Sequence, residues 1–274
     1  QAPDNTVRLF RNDNNTPIWN FTAGEWINEV DISADGNHIA ATSGDTHIYF
    51  WNIASSTPVW NFSNGAYFHQ LSMSSDGEYI AASDWDGILY LFGKDSGTPI
   101  WTYEVGDMMR VEISADGEYI AIASNNHNFY LFSTANSTPL WNYTAENAWE
   151  VAISGNGEYI VAAADWDKLY FFHRDSNTPL WNHSIGLWPT LSISDNGDYI
   201  VAGDWDSGNI SLFGKDSGDP IWQFQYDTPN GCREVSISAD GRYITGSIGP
   251  GTSGQAFLWN KNSSVPLWTN YTKE

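Results

Sequence analysis

Residues 110–144 read RVEISADGEYIAIASNNHNFYLFSTANSTPLWNYT and contain four short apolar segments separated by turn residues. We call these segments A to D: Arg-Val-Glu-Ile-Ser, Tyr-Ile-Ala-Ile-Ala, Phe-Tyr-Leu-Phe and Pro-Leu-Trp-Asn-Tyr. Their content of β-branched and aromatic residues predicts four short β-strands. The pattern returns about every forty residues along the chain. Such a period is typical of small sheets that bury their faces by stacking on their neighbours.

Segment D of each repeat carries the sequence Thr-Pro-hydrophobic-Trp or a close variant. It occurs seven times, and the intervals between its tryptophans are 41, 41, 40, 40, 41 and 46 residues. Proline is tolerated at the start of D if D is an outer edge strand, where one backbone donor is not needed. We expect these Trp side chains to fill the gaps between neighbouring sheets. They are Trp19, Trp60, Trp101, Trp141, Trp181, Trp222 and Trp268.

The connection between segments A and B contains Asp-Gly or Asn-Gly in every complete repeat. This pair tolerates positive φ angles, so it predicts a tight type I′ hairpin rather than a phosphate-binding loop. The pairs are Asp35-Gly36, Asp76-Gly77, Asp116-Gly117, Asn156-Gly157, Asn196-Gly197 and Asp240-Gly241.

The combination Ser-x-Asp-Gly-x-Tyr-Ile-Ala-Ala, Leu-Tyr-Leu-Phe and Pro-Leu-Trp resembles the β-propellers with WD-repeat-like and quinoprotein-like repeats. The resemblance covers almost the whole chain. Asp95-Ser96-Gly97 before Trp101 is also similar to the tryptophan-docking motif of quinoprotein blades, and Asp216-Ser217-Gly218 before Trp222 repeats it. The resemblance implies an all-β propeller with four-stranded blades. It implies no particular function, because propellers serve as enzymes, receptors and scaffolds.

The strand count predicts six complete blades and an N-terminal half-blade. The half-blade has a strand C at residues 7–10 and a strand D near residues 17–22, and it occupies residues 1–28 with its connection. The six full blades occupy residues 29–274 of a single domain, 1–274. They lie at about 29–63, 70–104, 110–144, 150–184, 190–225 and 234–271, which makes twenty-six strands in total.

The sequence supplies no strands A and B for the half-blade, and three interpretations stay open. The chain is a fragment of a seven-bladed protein, or six blades close the ring with the hairpin as an appendage, or a neighbouring molecule completes the hairpin. The third follows from the fact that unpaired strand edges are templates for other strands. A head-to-tail contact of this kind builds a filament if it does not close. The candidate assembly residues are Val7, Leu9, Phe10, Ile18 and Trp19.

Composition limits the possible partners. The chain has 33 acidic and 11 basic residues among 274, a net charge of −22 and a pI near 4.2. Such a charge disfavours nucleic acid and anionic membranes, and a saline habitat would also favour it. Cys232 is the only cysteine, so an intrachain disulfide is excluded, and no apolar run is long enough to span a bilayer. The start at Gln1 is typical of a processed secreted protein, or of a trimmed expression product.

Nine Asn-x-Ser/Thr sequons also favour a secreted or cell-surface protein with N-linked glycans. Most of those in segment D directly follow the Trp, where strand alternation turns the Asn outward. Chance sequons multiplied by repetition are the alternative. The candidate glycosylation sites are Asn14, Asn20, Asn61, Asn136, Asn142, Asn182, Asn209, Asn262 and Asn270.

The B–C loops and D–A loops open on one face of a propeller and are rich in Trp and Asp here. Three B–C loops read Asp-Trp-Asp, at 84–86, 165–167 and 204–206, and Asp45 lies at the equivalent place in another repeat. Paired aspartates are potential Ca²⁺ ligands, but capping of the loop by Asx-turns is the favoured interpretation. Exposed aromatic residues are typical of contact surfaces, and sugar stacking is a further alternative. The candidate binding face consists of Trp85, Trp166, Trp205, Trp26, Trp149 and Trp188.

Signals for catalysis are weak. The six His residues occupy unrelated repeat positions, and no nucleophile elbow, phosphate loop or zinc motif is present. A quinone-dependent dehydrogenase is the main enzymatic alternative, but a single cysteine excludes the vicinal cysteine pair of that family. We therefore expect a non-catalytic interaction or structural module with no cofactor and no bound metal, whose partners are proteins and most simply copies of itself.

Overall fold

The structure is a computed structural model that describes residues 5–107, 109–226, 231–249 and 254–271. These residues form twenty-six β-strands in seven sheets, of which one has two strands and six have four. The predicted half-blade and six full blades are confirmed. No helix in these ranges is long and apolar enough to cross a membrane.

Each full blade contains four consecutive strands that pair in chain order, from A to D. The half-blade is β1 (Thr6–Phe10) with β2 (Pro17–Thr22), paired antiparallel. Blades 1 to 3 consist of β3 (Ile27–Ile32), β4 (His38–Ser43), β5 (His47–Asn52), β6 (Trp60–Ser63); β7 (Phe68–Met73), β8 (Tyr79–Asp84), β9 (Ile88–Gly93), β10 (Ser96–Glu104); and β11 (Met109–Ile113), β12 (Tyr119–Ser124), β13 (Asn128–Ser133), β14 (Pro139–Thr144). Blades 4 to 6 consist of β15 (Glu150–Ile153), β16 (Tyr159–Ala164), β17 (Lys168–His173), β18 (Trp181–Ser184); β19 (Thr190–Ile193), β20 (Tyr199–Gly203), β21 (Ile210–Gly214), β22 (Ser217–Phe224); and β23 (Cys232–Ile237), β24 (Tyr243–Ile248), β25 (Gln255–Asn260), β26 (Trp268–Tyr271).

The chain divides into two compact units, and the division runs through blade 3. The first unit contains residues 1–126 and 132–140, and the second contains residues 127–131 and 141–274. The prediction of one domain over residues 1–274 stays a prediction.

The core of each unit lies between facing blades. In the first unit, Leu71 and Met73 of β7 pack in one buried cluster with Ala40, Ile48 and Phe50 of blade 1. In the second unit, blades 4 and 5 meet in the same way through Leu191, Ile193, Val161, Ala163 and Phe171. Small alanines on strand B and bulky residues on strand C therefore alternate between blades. Burial of this apolar surface is the main stabilising term.

The A–B connections are five-residue loops, so the predicted two-residue type I′ hairpin is wrong. In blade 1, only Gly36 of the Asp35-Gly36 pair has a positive φ, of 70°. Its backbone N–H donates to the carbonyl of Ser33 at 2.8 Å, and the Ser33 hydroxyl donates to Asp35 at 2.6 Å. The hydroxyl also accepts the N–H of His38 at 3.0 Å, which closes the loop. The glycines serve the turn as expected, but the Ser-x-Asp pattern determines its length.

Six of the seven repeated tryptophans lie between consecutive blades. The indole N–H of Trp60, for example, donates to the carbonyl of Lys94 in the next blade at 2.9 Å, and its ring stacks on Phe92 at 5.4 Å. Gly97 lies against the same ring, where a Cβ would come within 3.3 Å of Trp60 and 2.8 Å of the Asn61 carbonyl. Gly218 lies against Trp181 in the same way. The docking motif suggested by Asp-Ser-Gly thus acts on the Trp of the preceding blade.

Trp268 departs from the prediction that it packs between blades. Its side chain is 47% exposed, and all residues of β26 are exposed. Blade 6 is the last blade in chain order that the described residues contain. Its sequence pattern is that of the other six, and only the neighbouring structure differs.

Candidate interaction surfaces

The inner strand β3 of blade 1 is uncovered on one face. Val30 and Ile32 are 54% and 50% exposed. The residues at the same register positions in the other five blades are at most 9% exposed. These residues are Leu71, Met73, Val111, Ile113, Val151, Ile153, Leu191, Ile193, Val235 and Ile237.

The exposure of Val30 and Ile32 has a local cause. Leu71 of blade 2, which corresponds to Val30, packs on Ala40 of strand B in blade 1. Ala40 pairs with Phe50 of strand C in the same blade. Within the described residues, the sheet of the half-blade consists of β1 and β2 alone, in the positions of strands C and D, and contains no strand B. The part of β3 that a strand B would cover is therefore open. We call Val30, Ile32 and the inner edge of β1, which faces away from β2, the acceptor surface.

The predicted assembly residues of the half-blade divide into two groups. Val7 and Leu9 are buried against Ile39, Tyr49 and Trp51 of blade 1. Trp19 also packs on its own chain, since its indole N–H donates to the carbonyl of Ile53 at 2.7 Å. Insertion of these three side chains into another subunit is thus corrected to packing within the chain. Phe10 and Ile18 are exposed.

Blade 6 has an uncovered face as well. Thr245 is exposed where blade 2 has the fully buried Ala81, and Leu258 is partly exposed where blade 2 has the fully buried Leu91. Trp268 extends this face outward. It is the face that, in blades 1 to 5, carries the Trp that contacts the following blade.

The first unit also holds an open groove of about 540 Å³ at the start of its inner strands. Trp26, Tyr67 and Trp85 form its aromatic walls, and all three rings are exposed. Tyr67 and Trp85 lie 6.4 Å apart at an angle of 60°. The groove is further lined by Ile27, Asn28, Glu29, His69, Gln70 and Arg110.

Two amide side chains of the groove bond to the backbone of the following blade. The amide N–H of Asn28 donates to the carbonyl of Phe68, and the Gln70 Oε1 accepts the N–H of Val111. Burial, together with the nearby charge of Arg110, lowers the pKa of His69 below its ordinary value. The buried Nδ1 of His69 has no hydrogen-bond partner in the part of the chain that the structure describes. Sequence reasoning missed His69, Gln70 and Arg110. Gln70 and Arg110 occupy the same register position of β7 and β11, and the stacking of these two strands brings them into one groove.

Three predicted face residues, Trp149, Trp166 and Trp188, form a second aromatic cluster in the second unit, with Asn147 and Pro189 at a narrow cleft. Trp166 and Trp188 have positive φ angles of 69° and 50°. A bulky residue in this region costs about 1–2 kcal/mol, which makes such conformations uncommon outside turns and functional sites. The three rings are exposed.

Trp205 differs from the other tryptophans of the predicted binding face. The Arg233 guanidinium lies 3.8 Å from the centre of its ring, and the Arg233 Nε donates to the carbonyl of Gly249 at 3.2 Å. The ring is therefore only partly exposed. The three Asp-Trp-Asp loops present their tryptophans in three different environments, which their common sequence did not indicate.

The first aspartate of each loop caps its own hairpin. Asp84 is fully buried and accepts hydrogen bonds from the Tyr90 hydroxyl at 2.7 Å and the Ile88 N–H at 2.9 Å. Burial and this bond to Asp84 raise the pKa of Tyr90. Asp45 caps its loop through Gly24 and Tyr49, Asp165 through Glu146 and Tyr170, and Asp204 through Ser207. Within the described ranges, no group of three or more acidic, His or Cys residues is placed to hold a metal.

Cys232 is a structural residue of blade 6. It is buried, and a Cβ on Gly203 would come within 2.3 Å of its sulfur. Burial, with the charge of Asp204, raises the pKa of the thiol to about 12. The thiolate needed for nucleophilic chemistry is therefore scarce at neutral pH.

The sequons fall into distinct environments. Asn20, Asn61, Asn142 and Asn182 are exposed on outer strands. Asn14 and Asn136 lie in turns, where their side chains accept the N–H of Thr16 and Thr138. Asn209 is partly buried and its Ser211 is buried, Asn262 is exposed in a turn, and the Thr272 of the Asn270 sequon lies outside the described residues.

Comparisons with known proteins agree with this architecture. A family model described as outer membrane protein assembly factor BamB matches residues 85–247, and one described as WD domain, G-beta repeat, matches residues 15–52. No curated protein matches the sequence significantly.

Two crystal structures have the same fold. BamB from Moraxella catarrhalis has a TM-score of 0.76 at 13% identity, over 100% of this chain and 84% of that chain. The Cps50 (Swd1) β-propeller domain of Myceliophteria thermophila has a TM-score of 0.70 at 14% identity, over 88% of this chain and 85% of that chain. At these identities the likeness concerns the fold alone. Since the BamB match spans more than half of the sequence, the chain belongs to the family described as outer membrane protein assembly factor BamB, and it is a β-propeller of the WD-repeat-like and PQQ-like type.

Proposed function

We propose that this protein is a non-catalytic interaction module of the cell surface or extracellular space that assembles with copies of itself. Propellers of the WD and BamB-like type generally mediate protein–protein interaction, which supports the broader part of the proposal. The uncovered apolar face of β3 carries the finer part. Val30 and Ile32 are half exposed at positions that are buried in every other blade.

A second copy of the chain fits the acceptor surface, because the chain carries both sides of the contact that joins consecutive blades. In each consecutive pair, a Trp of one blade stacks on an aromatic residue of the next, as Trp60 stacks on Phe92 and Trp181 on Phe213. Phe10 of the half-blade occupies the position of Phe92. Neither Phe10 nor Trp268 stacks on another ring within the described ranges, and each is 47% exposed.

The proposed contact is therefore heterologous. Trp268 and the uncovered face of blade 6 in one copy pack on Phe10 and the acceptor surface of the next copy, as blade packs on blade within the chain. A heterologous contact that does not close extends into a filament, and one that closes gives a ring. Apolar burial at Val30, Ile32 and Trp268 would supply the driving force.

The test is the molar mass in solution, measured by size exclusion with multi-angle light scattering. For the unmodified recombinant chain, we expect masses that are multiples of 30.6 kDa, and 30.6 kDa for the variant Val30→Asp/Ile32→Asp. Trp268→Ser should also give the monomer. Ile100→Asp, at an equally exposed residue of blade 2, is the control and should assemble like the native chain. A native chain of 30.6 kDa at high concentration would refute self-assembly.

Deletion of residues 1–22 is a blunter test. It removes β1 and with it part of the acceptor surface, but it also uncovers Trp51 and Tyr49, which the half-blade buries. Loss of assembly after this deletion supports the proposal only if the remaining blades stay folded by circular dichroism. Unchanged assembly after the deletion would contradict a role of the half-blade.

A second candidate function is ligand binding in the aromatic groove. The groove of about 540 Å³ combines the flat rings of Trp26, Tyr67 and Trp85 with amide and charged side chains, a combination that suits an oligosaccharide. Titration with neutral hexasaccharides should quench Trp fluorescence, and Trp85→Ala should abolish the change. Trp205→Ala is the matched control, because Arg233 covers that ring. The absence of any hexasaccharide-dependent change would exclude this candidate.

A further inference from the structure

The outer strands carry a repeated exposed aliphatic residue. The residue before each repeated Trp is between 51% and 57% exposed in all seven outer segments. These residues are Ile18, Val59, Ile100, Leu140, Leu180, Ile221 and Leu267. Single exposed apolar residues are common, but a repeated one at the same structural position invites a specific explanation.

In four of the seven segments, a complete sequon follows on the same face. The Asn lies two residues after the aliphatic residue, and the Ser or Thr lies two residues further, so strand alternation directs all three outward. In blade 4, for example, Leu180, Asn182 and Ser184 are all exposed. The other three sets are Ile18, Asn20, Thr22; Val59, Asn61, Ser63; and Leu140, Asn142, Thr144.

The side-chain amides of these four asparagines make no hydrogen bond within the described ranges. The turn sequons differ, since Asn14 accepts the N–H of Thr16 at 2.8 Å and Asn136 accepts that of Thr138 at 2.9 Å. A glycan on these asparagines therefore replaces no hydrogen bond of the Asn side chain. A glycan on the turn sequons has to be accommodated beside a side chain that stabilises the turn.

We propose that Asn20, Asn61, Asn142 and Asn182 carry N-linked glycans and that the first sugar of each covers the aliphatic residue two positions before it. Residues two apart on one strand face lie about 7 Å from each other, within reach of a pyranose ring attached to the Asn. The apolar face of the sugar then removes part of the aliphatic surface from water. The inference rests on the extracellular location in the proposed function.

The modification is a group transfer from an activated, lipid-linked oligosaccharide. The Asn amide nitrogen displaces the lipid phosphate leaving group from the anomeric carbon. One C–O bond breaks, one C–N bond forms, and the amide nitrogen loses a proton. No oxidant or reductant is required.

Blades 2 and 5 provide internal controls. Ile100 and Ile221 are exposed like the other aliphatic residues, but Thr102 and Gln223 stand where the half-blade and blades 1, 3 and 4 have the sequon Asn. These two strands should stay unmodified. They therefore separate the effect of the glycan from the effect of the aliphatic residue itself.

Peptide mapping of the protein from its native source tests the sites. Treatment with a glycan-releasing amidase in H₂¹⁸O converts each glycosylated Asn to labelled Asp. We expect label at Asn20, Asn61, Asn142 and Asn182, and an intact mass above 30.6 kDa before treatment. Label confined to turn sequons such as Asn14 and Asn136 would overturn this inference and leave the extracellular location standing. An unlabelled chain of 30.6 kDa would overturn the inference and remove the support that it shares with that location.

Light scattering on the same native sample distinguishes this inference from the assembly proposal. Assembly uses Val30, Ile32 and Trp268, and it does not use the outward faces of the four strands that carry the proposed glycans.

Sugar packing is tested by Leu180→Ser, measured before and after amidase treatment. We expect the substitution to lower the Tm by about 1–2 °C more in the glycosylated sample. Ile221→Ser should show no such difference. Equal shifts in both Leu180→Ser samples would refute the contact between the sugar and the aliphatic residue.

Discussion

The neighbouring inner strands β3 and β7 have similar alternating sequences and different surroundings. Leu71 and Met73 of β7 are buried against blade 1, whereas Val30 and Ile32 of β3 are half exposed. The apolar residue is present in both strands, and the blade that should cover it is complete only in one. Local sequence thus specifies a strand and its two faces, but burial depends on what stacks on each face. The uncovered strand is where a partner can contribute most.

The largest expected difference between the two strands comes from truncating their apolar side chains. Leu71→Ala should lower the free energy of unfolding by about 2–4 kcal/mol, because it leaves a cavity in a packed cluster. Val30→Ala should change it by less than about 0.5 kcal/mol in the monomer, because its side chain is already half in water. Urea denaturation at low protein concentration measures both. Equal losses would show that β3 is covered in solution.

A covered and an uncovered position can also be compared on the Trp-bearing faces of blades 2 and 6. Ala81→Thr adds volume and a hydroxyl where the side chain is fully buried, and it should cost about 1–3 kcal/mol. Thr245→Ala, the reverse change at the exposed equivalent position in blade 6, should be within about 0.5 kcal/mol of the native protein. Thermal unfolding followed by circular dichroism compares them. A large loss for Thr245→Ala would mean that a neighbour covers blade 6.

The docking tryptophans allow a finer comparison. Trp60→Phe removes the indole N–H that donates to Lys94 O at 2.9 Å, and leaving that carbonyl unsatisfied should cost about 1–2 kcal/mol. Trp268→Phe should have almost no effect on the monomer, since its ring is exposed. Chemical denaturation midpoints measure this pair. If Trp268→Phe were as costly as Trp60→Phe, Trp268 would have a docking partner.

Asp31 gives the smallest expected effect, and its sign depends on pH. Burial raises the pKa of Asp31, although hydrogen bonds from the N–H groups of Met73 and Ile32 act in the opposite direction. The raised pKa means that ionised Asp31 destabilises the fold at neutral pH, and that this penalty vanishes once the pH falls below the ordinary value of 3.8. Asp31 accepts the backbone N–H of Met73 in the next blade. Ser72 of β7 makes the equivalent bond without a charge, because its hydroxyl accepts the N–H of Ile113 at 3.2 Å.

We therefore expect Asp31→Ser to raise the free energy of unfolding at pH 7, because it removes a carboxylate whose ionised form the fold disfavours. The gain should shrink as the pH falls and disappear below 3.8. Urea denaturation at pH 7 and pH 3.5 provides the measurement. A gain that is larger in acid would contradict the raised pKa.

Much of the fold could be predicted because the same pattern of strands and turns recurs in each repeat. Strand order, the half-blade and the role of the Asp-Gly glycines follow from alternation and turn residues that act over a few neighbours. The turn type was wrong because the Ser33 hydroxyl, two residues before Asp35, enlarges the loop through its own hydrogen bonds. Such side-chain closure is invisible to a rule that considers only the Asp-Gly pair.

The candidate surfaces were less predictable. The Asp-Trp-Asp loops look alike, yet Arg233 covers Trp205, while Trp85 lines a groove with His69 and Arg110. Arg233 and Arg110 come from the blade that follows the blade of the tryptophan, and His69 comes from another strand of the same blade, so the loop sequences indicate none of them. Exposed tryptophans could be predicted as a class, but their individual environments could not.

By itself, the sequence determined the four-stranded repeat, the N-terminal half-blade, the positions of six docking Trp residues and the acidic charge, since these depend on local propensity and counting. Only the tertiary structure decided that Val30, Ile32 and Trp268 are exposed and that Val7 and Leu9 are buried. The physical reason is that burial is a property of pairs of surfaces. A residue's own sequence sets which face it occupies, and the presence or absence of a stacked neighbour sets whether that face meets protein or water.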